Sequence, residues 1–257
     1  MAGRRLGFRS PWSRALWCLA GLVLAACGTT STPSQADGNA AATPASVVVT
    51  TARSAGLTSS TTAEMPDTFS FEVSPITMEL ADRMTPSSWR DGCPVPLADL
   101  RYLRIAYLAF DDTRQIGEMV VHHDVVDDMR TVFGELFSAR VPIRRMNLID
   151  DYDGDDFTSI EANNTSAFNC RVVTGGNRWS EHAFGRAIDI NPIENPYVSH
   201  GRTSHPASSS FLDRTDVRPG MATEGGPLVA AFDRVGWSWG GRWNEPVDYQ
   251  HFSLSGR

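Results

Sequence analysis

Two predominantly apolar runs, Tyr102 to Phe110 and Gln115 to Val121, are separated by the polar tetrapeptide Asp111-Asp112-Thr113-Arg114. That order predicts two strands joined as a hairpin. Downstream a period appears: Val125, Met129, Val132, Phe133 and Leu136 recur at helical spacing, with Asp127, Asp128 and Arg130 outside and Asp124 placed to cap the start. This helix is expected to cover one face of the sheet. Pro142 to Asp150 reads as a further strand, and Pro227 to Val235 as a short helix opened by its proline and stopped by Gly236. Ala187-Ile188-Asp189-Ile190 alternates with period two, which sets Ala187 and Asp189 on one face and the isoleucines on the other, toward the core. His251 begins a similar strand, with His251 and Ser253 opposite Phe252 and Leu254, and Trp237 to Trp239 is expected to complete the sheet. The pattern predicts an α+β fold: a small antiparallel sheet flanked by helices.

The first quarter of the chain has a different pattern. Arg4, Arg5, Arg9 and Arg14 accompany an apolar stretch from Ala15 to Ala26, closed by Leu24-Ala25-Ala26-Cys27. About a dozen apolar residues are too few to span a bilayer comfortably. Residues 1–26 therefore read as a signal peptide. The Leu-Ala-Ala-Cys ending resembles the bacterial lipoprotein signal, which implies cleavage before Cys27, lipid on its sulfur and attachment to the membrane. An ordinary secretory signal is the other reading, and either one places the domain outside the cytoplasm. Residues 27–70, rich in Ser, Thr, Ala, Gly and Pro, bury too little apolar surface to offset their ordering entropy and read as a flexible tether. Residues 71–257 remain as one globular domain, expected to be monomeric.

Charge narrows the choice of partner. Removing residues 1–26 takes away four arginines and no acid, leaving 19 basic against 30 acidic residues, a net of −11. Nucleic acid is excluded as an expected partner. The chain has no lysine, so every basic side chain is an arginine, the residue suited to bidentate binding of a carboxylate. Of four cysteines, Cys18 leaves with the signal and Cys27 takes the lipid, so Cys93 and Cys170 are expected to pair as a disulfide in an oxidising compartment.

The candidate chemistry lies in Ser180-Glu181-His182-Ala183-Phe184-Gly185-Arg186-Ala187-Ile188-Asp189 and in Asp248-Tyr249-Gln250-His251. His182, Asp189 and His251 supply two imidazoles and a carboxylate, the mixed set of a catalytic zinc that keeps one position for water. Asp189 follows His182 by seven residues, too far for one helical turn, and Gly185 permits the chain to fold back between them.

These residues resemble the D-Ala-D-Ala carboxypeptidase type of metallopeptidase, the M15 peptidases, whose box is Ser-x-His-x-x-Gly-x-Ala-x-Asp with a later acid-x-x-His. Every fixed position is present. The resemblance runs from about Trp89 to Arg257 and includes Asn163 to Arg171, Asn191-Pro192 and Trp237 to Gly241. It implies Zn2+ as cofactor, peptidoglycan stem peptides as substrate, and Asp248 as the base that takes a proton from water and passes it to the leaving amine. A turn-capping aspartate is the plain alternative for Asp248. It also implies that Arg171 binds the substrate carboxylate or stabilises the oxyanion, against the alternative of a surface salt bridge. Ser180 is expected to orient the His182 loop by hydrogen bonding. The activity implied is D,D-carboxypeptidase or D,D-dipeptidase, with an L-Ala-D-Glu endopeptidase as the nearest variant. A non-catalytic, zinc-containing wall-binding module on the same scaffold is the competing reading.

Other features have plainer readings. His122-His123-Asp124 reads as a helix start, since adjacent histidines on a strand point oppositely. Asp151 to Asp156 departs from a calcium loop at its glycine and at its twelfth position, Ala162, and reads as a solvated turn or a loop at the cleft rim. Trp237, Trp239 and Trp243 are placed in the cleft wall or in the core.

Overall fold

Three short strands form the first sheet of the computed structural model, which describes residues 68–257. Strand β1 (Phe71–Pro75) is followed by helix α1 (Met78–Met84), then by β2 (Leu100–Leu108) and β3 (Arg114–His122), all antiparallel in the order β1-β2-β3. The hairpin expected from the two apolar runs is present, with Leu100 opposite His122 and Leu108 opposite Arg114. Both of its faces are covered, which is why its ends read as nearly continuous apolar runs. Leu103, Ile105, Met119 and Val121 join the main core, while Leu100 and Val120 face a smaller cluster with Met84, Leu148 and Phe168. Neither β1 nor α1 was legible in the pattern; five and seven residues are too few to show a period.

Helix α2 (Val126–Ser138) lays Met129, Val132, Phe133 and Leu136 against the sheet, as its spacing requires. Its start differs from expectation. Val125 is the capping position and makes no side-chain cap, whereas the Asp124 carboxylate binds the Arg186 guanidinium and lies 2.6 Å from His122 Nδ1. The Arg186 guanidinium and the His122 ring outcompete the helix amides for it.

Residues 142–150 do not form the expected strand. Pro142 has no amide to donate, and the Arg144 and Asn147 amides go to the side-chain oxygens of Asn191 and Asn164. The segment instead covers the open edge of β3, where Glu118 N–H donates to Met146 O at 2.9 Å. Gly117 permits this approach, since a Cβ there would lie 2.5 Å from Met146 Cβ.

With that edge occupied, the later strands build a second sheet rather than completing the first. After α3 (Asp156–Glu161), β4 (Ala187–Asp189) pairs with β8 (His251–Ser253), and β8 pairs with β6 (Ser238–Trp239), each antiparallel. A two-stranded pair, β5 (Tyr197–Val198) with β7 (Val247–Asp248), stands beside it. Helix α4 (Pro227–Arg234) runs as expected, and Phe232 stacks on Phe252 with centroids 4.1 Å apart. Ile188, Ile190 and Phe252 are fully buried in the core that both sheets share, but Leu254 falls beyond the end of β8 and is exposed. The architecture is α+β, with small antiparallel sheets, the second of which pairs the strands that carry Asp189 and His251.

The expected disulfide is present: Cys93 joins Cys170 across 77 residues. Among the described residues no helix is long and apolar enough to cross a membrane. The signal peptide, Cys27 and nearly all of the tether lie outside the described residues.

Candidate metal centre

The register of β4 and β8 builds the centre. Asp189 and His251, 62 residues apart in sequence, are directly opposed in the ladder, so their side chains leave the same face as neighbours. His251 Nδ1 lies 3.1 Å from Asp189 Oδ1. On its other side β4 is held by Ser166, which exchanges two main-chain hydrogen bonds with Asp189 at 2.9 and 3.0 Å.

His182 arrives from a 3-10 turn, Glu181–Phe184. Ser180 caps this turn, its hydroxyl accepting from His182 N–H at 3.4 Å, which is the orienting role expected of it. Gly185 ends the turn at φ +66° and sends the chain into β4. Its carbonyl accepts from His122 N–H at 2.9 Å, which ties the turn to the end of β3.

The ring nitrogens are sorted by their second partners. His182 Nδ1 lies 2.7 Å from the Ala167 carbonyl oxygen, and His251 Nε2 lies 3.0 Å from the Arg257 main-chain oxygen. Each of these nitrogens is a donor, which leaves lone pairs on His182 Nε2 and His251 Nδ1. Those two atoms are 3.3 Å apart, and His182 Nε2 is 3.3 Å from Asp189 Oδ2. Two lone pairs and a carboxylate at this spacing repel one another unless a cation lies among them, either a proton on His251 Nδ1 or a metal ion in its place, so the donor set fits a metal ion. All three residues are at most 6% exposed.

The electrostatics agree. Burial opposes the Asp189 charge, but the charges and hydrogen bonds of His182 and His251 outweigh it and hold the carboxyl well below its usual range. Burial also opposes a charge on His251, yet the Asp189 hydrogen bond and charge push it up to about 9. The centre therefore attracts positive charge. Asp248 behaves oppositely: burial first, and then the Asp189 charge, push it up to about 7.

These groups line one cleft of about 480 Å³ that also includes Asp156, Arg171, His205, Trp243 and Gln250. Asp248 projects from β7 with its Oδ1 buried and without a partner among the described residues. Arg171 pairs through its guanidinium with Asp156, and both line the cleft, so the ion pair belongs to the site rather than to the outer surface. The acidic run is a loop at the rim: Asp155 caps α3 through Thr158 N–H at 2.7 Å, and Asp156 enters the cleft. The tryptophans divide. Trp237 and Trp239 are in the core, while Trp243 walls the cleft, its ring 5.4 Å from that of His251. His122 and His123 take no part in the cluster.

Gln250 and His205 are polar cleft residues that the sequence does not single out. Gln250 lies inside the Asp248 to His251 motif at a position where the motif fixes no residue type. His205 is in a stretch without periodicity, and no signal other than residue type marked it.

A cleft in which two imidazoles and a carboxylate could hold a metal ion beside a further carboxylate has the composition of a metallopeptidase centre. Residues 174–254 match a peptidase M15 family model described as D-alanyl-D-alanine carboxypeptidase. The match supports an M15 family peptidase, a family of metalloenzymes acting on cell-wall peptides. It takes in His182, Asp189, Asp248 and His251, and begins after Arg171 and the Asn163 to Arg171 run, a narrower span than the resemblance from Trp89 onward. Comparisons with curated proteins and with solved structures give no match.

Proposed function

We propose that this chain is a zinc peptidase hydrolysing short peptides of the cell wall, as a D,D-carboxypeptidase or D,D-dipeptidase, with an L-Ala-D-Glu endopeptidase as the nearest variant. The observation that carries the reading is the convergence of the His182 Nε2, Asp189 and His251 Nδ1 ligand atoms in a cleft that also receives Asp248. Zinc held there would supply Lewis acidity toward the scissile carbonyl and lower the pKa of water.

The protein's own groups do the rest. Ala167 and Arg257 fix the two rings so that their free nitrogens face Asp189. Asp248 takes the proton of the attacking water and returns it to the leaving amine, a role supported by its buried, unpartnered Oδ1 and its raised pKa. A non-catalytic binder would have no use for such a carboxylate. Arg171 offers its guanidinium to the substrate carboxylate or to the developing oxyanion, with Asp156 orienting it. The protein works outside the cytoplasm as a monomer, anchored through lipid on Cys27 after removal of residues 1–26 and carried on the tether of residues 27–70.

The test is incubation of the zinc-loaded protein with defined muropeptides and identification of the products by mass. Loss of a terminal D-Ala, or release of D-Ala-D-Ala, supports the reading. Intact muropeptides in the presence of one bound zinc per chain would overturn it.

A further inference from the structure

Four of the ten buried side-chain atoms that lack a hydrogen-bond partner among the described residues belong to this single cleft: Arg171 Nε, His205 Nδ1, Asp248 Oδ1 and Gln250 Oε1. Leaving such an atom unpaired costs about 1–3 kcal/mol, so folded chains keep few of them. Their gathering in a cleft marks groups held for a ligand. The chemistry above employs Arg171 and Asp248. It has no use for His205 or Gln250.

Both are fixed before any ligand arrives. Gln250 is 5% exposed, and its main-chain carbonyl accepts from Ile190 N–H at 3.0 Å while its side-chain Oε1 has no partner among the described residues. His205, also 5% exposed, rests its ring on Phe157 with centroids 4.3 Å apart. Its carbonyl accepts from Ser208 N–H at 3.0 Å at the start of the 3-10 turn Pro206–Phe211. Burial lowers the pKa of this imidazole, so at neutral pH it presents one N–H and one lone pair rather than a charge. Two rigid, neutral, unpaired groups among apolar cleft residues such as Ile160 and Pro196 suit a ligand that offers N–H and C=O groups in alternation. A peptide main chain is such a ligand.

We propose that Gln250 and His205 are specificity-determining residues that hydrogen-bond the main chain of an extended peptide substrate, with Gln250 Oε1 accepting from a substrate N–H. The inference rests on the peptidase reading and adds to it the length of substrate that the cleft grips. A dipeptide reaches the metal ligands without needing both contacts, whereas a stem pentapeptide engages both.

The test uses Gln250→Met and His205→Phe, which keep volume and remove the polar atoms, in the zinc-loaded full chain with a stem pentapeptide ending in D-Ala-D-Ala as probe. Each variant is expected to raise KM for the pentapeptide about tenfold, the equivalent of one hydrogen bond, with the loss falling on KM rather than on kcat and with zinc content preserved. The melting temperature should hold or rise, because an unpaired buried group has been removed. A fall in melting temperature with KM unmoved would assign both residues to the framework and overturn the inference. Calorimetric titration of the pentapeptide into Asp248→Ala separates this from the activity itself. Binding there should weaken about tenfold on adding Gln250→Met, even if the native protein cleaves no muropeptide. Equal affinity, or no binding by Asp248→Ala alone, would sink the proposal.

Discussion

His182 Nδ1 donates to the Ala167 carbonyl across 2.7 Å, and that contact decides which nitrogen of the ring is left for a metal. His251 is turned the other way, giving Nε2 to the Arg257 oxygen and keeping Nδ1 free. The two histidines are thus expected in opposite tautomers. Nitrogen-15 correlation spectra of the zinc-loaded protein should show the proton on Nδ1 of His182 and on Nε2 of His251. Matching patterns from the two rings would contradict this assignment.

Asp248 is held against its own ionisation by burial and by the neighbouring Asp189 charge. As a base it must be deprotonated, so kcat/KM is expected to fall as pH drops through its pKa. A bound dication draws that value down, which places the acid limb between the ordinary aspartate value of 3.8 and about 7. Asp248→Asn should abolish turnover while zinc stays bound. The raised pKa also means that ionising Asp248 costs stability as pH rises. The metal-free Asn variant should therefore melt higher than its parent at pH 8, and the difference should vanish below pH 4. Thermal scans at the two pH values check the sign.

Gly185 joins the His182 turn to the Asp189 strand at φ +66°, and a Cβ there would lie 2.6 Å from His122 N. Gly185→Ala combines a left-handed backbone penalty with that collision and is expected to cost about 2 kcal/mol or more. Denaturant titration reads the stability. Competition with a zinc chelator reads the accompanying loss of metal affinity, since the turn carries one ligand.

Cys170 precedes Arg171 in the segment whose Ala167 carbonyl orients His182. Replacing Cys93 and Cys170 by serine should cost about 2–5 kcal/mol, seen as a lower melting temperature. An unchanged melting temperature would show that packing alone holds the segment.

The central chemistry was legible because ligand chemistry needs particular residue types at particular spacings. His182, Asp189 and His251 stand out for that reason, and the alternation about Ile188 and Phe252 shows how strands bring them together. The hairpin was legible from its apolar runs, and the two longer helices from their periods. The strand expected over 142–150 failed because asparagine side chains from distant segments take its amides, and no local pattern encodes such partners. The division into two sheets followed from the same cause. Asp124 looked like a helix cap until Arg186, 62 residues away, claimed it. His205 and Gln250 stayed hidden because their character comes from what they lack, an absence that only packing creates.

The opposition of Asp189 and His251 has a consequence for how such a protein can diversify. The roughly sixty residues between them leave and re-enter the ladder at the same rung, and they bring with them the wall that bears Tyr197 and His205. Evolution, or an engineer, can lengthen or recast that excursion and so retarget the enzyme while the two ligands remain clasped together.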